Sequence, residues 1–223
     1  VLEYLGRIYL IQGEYIKAQD CLTESLKIRR AHISDSPLLC ADCLMSLGAL
    51  FQDLDDFEKA RNFYSEAIRL IKDTFGVNHI SHAEYLQILG MWHSELRNYV
   101  DAEKCFLEAL SILDSLPGDF EYVQVTSLNE LGIVYHEIGD FRLAEDYYKR
   151  ALVFYEKDSI NNPLEYAGVL SNIGVLFHSQ GDYSAARENY LRSLEIKSSV
   201  LAEDCYSCSD ELIFLGALCR NLG

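Results

Sequence analysis

The sequence predicts an all-α superhelix of antiparallel helix pairs, five full repeats plus one extra helix. Three observations carry that reading. Glycines at 6, 48, 90, 132, 174 and 216 recur every 42 residues without slippage, each preceded by Leu or Ile. A leucine stands four residues before every one of them, from Leu2 and Leu44 to Leu170 and Leu212. Three residues after each come Tyr9, Phe51, His93, Tyr135, Phe177 and Cys219, so an i, i+4, i+7 apolar face surrounds the glycine. Twelve residues after the first five glycines stand Ala18, Ala60, Ala102, Ala144 and Ala186, followed seven later by Ser25, Ala67, Ala109, Ala151 and Ser193. A fixed period of this length marks stacked supersecondary units, each too small to bury its own apolar face alone.

The elements follow in order. Repeats are expected at about 1–36, 37–78, 79–119, 120–161 and 162–203, with a partial repeat at 204–223, forming a single array. In each, the glycine lies on the first helix. The stretches QGEY, DLDDF, ELRNY, EIGDF and SQGDY then end that helix and lead into an aromatic that opens the second, with the Gly, Asn and Asp that stops and starts favour. The joints between repeats are polar, and Pro37, Pro117 and Pro163 sit where proline can begin or end a helix. Glycine costs a helix interior about 1 kcal/mol against alanine, so a packing contact must offset it. The expected partner is the alanine of the second helix, with Gly132 meeting Ala144 at close backbone approach. Trp92 shares its register with Ile8, Leu50, Val134 and Leu176 and is expected in the core.

Gly and an aromatic in the first helix, with Ala, aromatic and Ala/Ser in the second, resemble the tetratricopeptide repeat. The usual unit has about 34 residues; the 42-residue period is similar to the repeats of kinesin light chains and nephrocystin-like proteins. The run FGVNHISHAEYLQILGMWHSELRNYVDAEKCFLEAL carries the likeness at Phe75, Gly76, His79, Ala83, Ala102 and Glu103, with Ile80 where that family prefers proline. The resemblance implies a non-enzymatic protein-interaction scaffold, although one such fold serves many partners.

Composition bounds the function. The 223 residues are 49% hydrophobic with formal net charge −16 and pI about 4.7, which disfavours nucleic acid. No signal peptide is expected, no apolar run is long enough to span a membrane, and the chain is expected to be a fragment of a longer cytoplasmic protein. The helix around Leu212–Gly216 would then leave apolar surface bare, open to self-association. Seven cysteines, an odd number, point to a reducing compartment. Cys40/Cys43 and Cys205/Cys208 have CxxC spacing, but stacked helices set the pairs roughly 40 Å apart at about 10 Å per helix, too far for one zinc ion. Ordinary half-buried cysteines are expected, with oxidation at 205/208 the alternative. His79 and His82 lack a third ligand. No phosphate-binding glycine loop, HExxH or GxSxG occurs, so no catalytic residue, cofactor or metal is expected.

Function in a stacked array falls to the concave wall lined by first helices. The residue after each glycine gives Arg7, Ala49, Met91, Ile133, Val175 and Ala217, a largely apolar floor. Flanking positions supply Glu3, Asp42, Met45, Glu84, Gln87, Glu95, Asn129, Glu130, His136, Glu137, Asn172 and His178. Among Lys and Arg, only Arg7 and Arg220 are expected on first helices, so the groove should be acidic and take a basic or neutral protein segment with apolar anchors. Co-chaperone repeat domains hold a C-terminal carboxylate with Lys, Arg and Asn; here only the amides Asn129 and Asn172 occur, and Asp42, Glu84, Thr126 and Gly168 stand where basic residues would be needed. The acidic tryptophan-containing cargo of kinesin light chains is likewise not expected. The alternative reading is a regulatory or sensor arm that packs on a catalytic domain outside this sequence.

Overall fold

The computed structural model describes residues 1–118, 120–157, 162–201 and 212–216. The described chain is helical, without strands: α1 (Leu2–Ile11), α2 (Tyr15–Ala31), α3 (Pro37–Asp53), α4 (Phe57–Phe75), α5 (Ile80–Glu95), α6 (Tyr99–Ser115), α7 (Glu121–Ile138), α8 (Phe141–Lys157), α9 (Pro163–Gln180) and α10 (Tyr183–Leu201). Residues 212–216 are also helical. Two compact units divide it, Val1–Gly90 with Glu108–Gly118 and Met91–Leu107 with Asp119–Gly223. In the first, α1 packs on α2, α2 on α3 and α3 on α4, and α1 also touches α3. In the second, α7 packs on α8, α8 on α9 and α9 on α10, and α7 also touches α9. Both α1 and α7 therefore contact their own second helix and the next first helix, the packing of a helical-hairpin stack.

The periodic small residues form the seam of every hairpin. Ala18, Ala60, Ala102, Ala144 and Ala186 are wholly buried, as are Ala67, Ala109, Ala151 and Ser193. What fills the space above the glycine differs from the expectation. A Cβ on Gly132 would lie 2.4 Å from the Tyr148 ring, and one on Gly48 2.4 Å from Tyr64. On Gly174 it would lie 2.5 Å from Tyr190, and on Gly6 2.7 Å from Leu22. The nearest partner is thus the large side chain sixteen residues on, not the alanine twelve residues on. The alanine lets the helices approach; the ring then covers the bare backbone of the glycine. Tyr64, Tyr148 and Tyr190 are among the largest fully buried side chains, so the contact turns a glycine gap into dense aromatic packing. Trp92, Leu50, Val134 and Leu176 are buried as expected, whereas Ile8 on α1 is half exposed.

The hairpin turns repeat as closely as the seam. Gly13, Asp55, Arg97, Gly139 and Gly181 occupy the left-handed region, at φ 72, 57, 57, 91 and 81°. The amide of the next residue reaches back to the carbonyl five residues earlier, as from Asp140 to Tyr135 (2.9 Å) and Asp56 to Phe51 (2.9 Å). That closes the helix with the bond that follows a left-handed residue. The same Asp side chains cap the next helix: Asp56, Asp140 and Asp182 accept from the amides of Lys59, Leu143 and Ala185 at 3.0–3.2 Å. In two repeats a non-glycine side chain, Asp55 or Arg97, tolerates the left-handed conformation because this bond network requires it.

Glycine substitutions should separate helix propensity from packing. Gly132→Ala should destabilise the chain by about 1–3 kcal/mol, because the ring of Tyr148 cannot clear the new methyl. Gly168→Ala, with nothing within 4 Å of its Cβ in the interior of α9, should stabilise by about 1 kcal/mol. Urea unfolding midpoints of the two variants test the opposite signs.

Candidate functional site

Among the described first helices α1, α3, α5, α7 and α9, Arg7 is the one Lys or Arg; carboxylates stand on all five. The floor row is open to different degrees: Met91 is exposed, and Ala49, Ile133 and Val175 are half-buried. The flanking positions separate into two kinds.

Some face the seam between neighbouring first helices. Met45 and Gln87, expected on the open wall, are buried at 6% exposure each and unavailable to a partner in this conformation. Glu3, in the same register, is also buried, 3.4 Å from Arg29 and 3.5 Å from the Cys43 sulfur. The position three before the glycine points toward the adjacent first helix, and burial follows from that stacking. Asp42 accepts a 2.6 Å hydrogen bond from the Tyr85 hydroxyl across α3 and α5. Half-buried Glu84 lies near it, and burial, then the Asp42 charge, raises its carboxyl above the usual range. In the second unit the Asn172 amide donates to the Asn129 carbonyl at 3.0 Å. The two half-buried amides therefore bridge α7 and α9, and Asn129 also hydrogen-bonds the Glu130 carboxyl.

The others converge. Met91, Glu95, Glu130, Ile133 and Glu137 line a pocket of about 370 Å³ together with Ser94, Arg97 and Tyr99. Met91 and Ile133 supply its apolar floor. The Tyr99 hydroxyl donates to Glu137 at 3.1 Å. Burial is the main cause that lifts the Glu130 carboxyl to about 7; the Asn129 amide opposes it and the Glu95 charge adds to it. Arg97 and Tyr99 escaped the sequence reading because they belong to a turn and to the aromatic that opens a second helix, positions that the repeat pattern assigns to structure.

His136, Val175 and His178 flank this site without lining the pocket. His136 Nε2 lies 2.9 Å from the Ser179 hydroxyl, which donates to the Val175 carbonyl at 3.0 Å. The ring of His178 packs on Tyr183, with centroids 5.4 Å apart. Elsewhere, His82 Nδ1 pairs with the Val77 carbonyl at 2.8 Å and His79 Nδ1 accepts from the Ser81 amide at 3.2 Å, so both close the start of α5. No group of three metal-ligating side chains occurs among the described residues. Cys40 and Cys43 are buried rather than half-buried, and burial raises the Cys43 thiol to about 11, away from redox reactivity. Cys205 and Cys208 lie outside the described residues.

Comparisons with known proteins agree with this architecture. Two tetratricopeptide-repeat family models match, one over residues 1–73, 39–115 and 83–157 and the other over 167–204. No curated protein matches the chain. Among solved structures, BtubC (BKLC) from P. vanneervenii superposes with TM-score 0.77 at 22% identity, over 89% of this chain and 79% of its own. A kinesin light chain-like array of nearly identical repeats from Podospora anserina gives 0.72 at 13%, over 91% and 95%. Aspartyl phosphate phosphatase F from Bacillus subtilis gives 0.80 at 17%, over 96% of this chain and 53% of its own. At these identities the likeness is one of fold. With family models covering most of its length, a 42-residue period and this hairpin packing, the chain belongs to the tetratricopeptide-repeat family.

Proposed function

We propose that the chain is a non-enzymatic scaffold that holds a segment of a partner protein along the first-helix face, with a basic side chain of the partner in the Glu95–Glu130–Glu137 pocket and apolar residues on Met91, Ile133 and Val175. The observation that carries this is the pocket itself: three carboxylates around an apolar floor, with Arg97 as the one basic residue in its lining. A cationic group with an aliphatic stem satisfies both features. In this reading the segment's main chain meets the hydrogen-bonding capacity of Asn129 and Asn172 that their mutual bond leaves over. Asp42 and Glu84 extend the acidic character on the first unit's own helices. No helix among the described residues is long and apolar enough to cross a membrane, and a cytoplasmic site of action fits the reading. Exposed Leu212 and Ile213 offer a separate contact between copies of the chain.

A second reading, a regulatory arm of a larger protein, draws support from the neighbours. The fold covers 53% of the phosphatase and 31% of a signal-transduction ATPase from Pyrococcus horikoshii that carries a tetratricopeptide sensor. Arrays of this kind thus occur inside longer signalling proteins. The sequence flanking this chain separates the two readings: a catalytic domain there favours the arm.

Peptide-display selection on the chain should enrich basic sequences with apolar neighbours, and Glu95→Lys with Glu137→Lys should weaken those peptides about tenfold or more. Unchanged affinity removes the pocket from the account. Glu130 gives a second test. Its folded-state carboxyl titrates near 7 against an ordinary 4.5, so its contribution to stability is complete below about 4.5 and is lost as pH rises through about 7. Binding of a cationic peptide should run the other way and strengthen as Glu130 ionises. Glu130→Gln should flatten both trends; melts and titrations at pH 5.5 and 8 compare it with the parent.

A further inference from the structure

A pocket of about 540 Å³ opens in the second unit, between the first turns of α7 and α9 and the last turns of α8. It is distinct from the acidic pocket above and shares no residue with it. Its lining includes the rings of Tyr122, Phe154 and Tyr155 and the carboxylates of Glu121 and Glu165, with Asn162 at the start of α9. None of the described lining residues is a Lys or Arg.

The 42-residue register shows how unusual this joint is. Where Phe154 stands, other repeats carry Ile28, Leu70, Ile112 and Ile196; where Tyr155 stands, they carry Arg29, Ile71, Leu113 and Lys197. Where Tyr122 stands, other repeats carry Leu38, Ile80, Leu164 and Tyr206, and where Glu165 stands they carry Leu39, Ser81, Val123 and Ser207. At 154 an aromatic takes the place of an aliphatic residue, and at 165 a carboxylate takes the place of an uncharged one. Tyr122 is 72% exposed, so burial is not what an aromatic gains there. In a repeat protein the fold needs only the repeated pattern, and local departures from it are where recognition is grafted.

The chemistry of the lining selects the ligand. Aromatic faces attract a cation, and a carboxylate at the same opening supplies charge-assisted hydrogen bonds. An anion would face the Glu165 carboxylate, and a purely apolar ligand would desolvate it without compensation. Glu165 sits close enough to Tyr155 that burial and its charge together lift that phenol to about 12. Glu121 and Glu165 lie in the first turns of their helices and also oppose the helix dipoles. That role needs no aromatic neighbours. Between cations, a planar guanidinium stacks on rings while its N–H fork meets a carboxylate; an ammonium is a more strongly hydrated point charge.

We propose that this aromatic and carboxylate pocket binds the guanidinium of an arginine side chain presented by a partner protein. The rings of Phe154 and Tyr155 stack on it and Glu165 pairs with it. The site stands apart from the proposed groove and does not depend on it. The test is a titration of the full chain with N-acetyl-arginine amide, followed by amide NMR shifts at millimolar ligand. Saturable shifts are expected at 121–126, 154–155 and 162–165. The citrulline analogue, a neutral isostere, should bind about tenfold more weakly or not at all, and Glu165→Gln and Phe154→Leu should each weaken arginine about fivefold or more. Glu137→Lys, which alters the other pocket, should leave the shifts at 154–155 and 164–165 unchanged. Glu165 is exposed, so its variant stays informative even where Phe154→Leu perturbs folding. Equal binding of citrulline, equal binding of the lysine amide, shifts with inorganic phosphate instead, or shifts confined to the residues around Glu130 would each overturn the assignment.

Discussion

The contact on which the rest of this structure depends is a ring laid over a bare backbone. On α3, α7 and α9 a glycine leaves a gap that a tyrosine from the second helix fills, and on α1 a leucine does the same. The alanine row beside it lets the two helices approach closely enough for that ring to be wholly buried. Neither half works alone. Bulk at the glycine would expel the ring, and bulk at the alanine would hold the helices apart. The contact fixes the depth and rotation of each hairpin, and rotation decides which side chains of the first helix face a neighbour and which face outward.

Rotation in turn sorts the acidic residues. Those that point toward the next first helix become structural: Glu3 pairs with Arg29, and Asp42 accepts from Tyr85. Those one or two positions round the helix remain open, and in the second unit Glu95, Glu130 and Glu137 gather about Met91 and Ile133. Burial of a carboxylate, with a like charge beside it, is unfavourable by itself, and the raised pKa of Glu130 expresses that cost, burial first and the Glu95 charge after it. A cationic partner relieves it. Such a surface suits recognition better than self-sufficiency, because its electrostatic complement lies outside the chain.

The same logic explains why a repeat fold reveals so little about its ligand. Every repeat must keep the glycine, the small residues, the aromatic and the turn, and those consume most of the recognisable pattern. Specificity is left to positions that the fold does not constrain. Neighbours of similar shape at 13–22% identity therefore share an architecture and say nothing of one another's partners.

How much was legible follows from this division. The sequence by itself determined the helical hairpins, their 42-residue register, the turns and the buried alanines, because these depend on local periodicity and on residue size. It also placed the basic residues away from the first helices, since that needs only helix boundaries. Tertiary structure alone decided that Gly48, Gly132 and Gly174 meet rings and Gly6 a leucine sixteen residues away, that Met45 and Gln87 are buried, and that Asn129 and Asn172 bond to each other. It alone brought Arg97 and Tyr99 to the edge of the acidic pocket. Each of these depends on the relative rotation of two packed helices, and a few tens of degrees move a side chain from seam to solvent. Periodicity in one strand of sequence fixes a face; only the neighbouring helix fixes what that face meets.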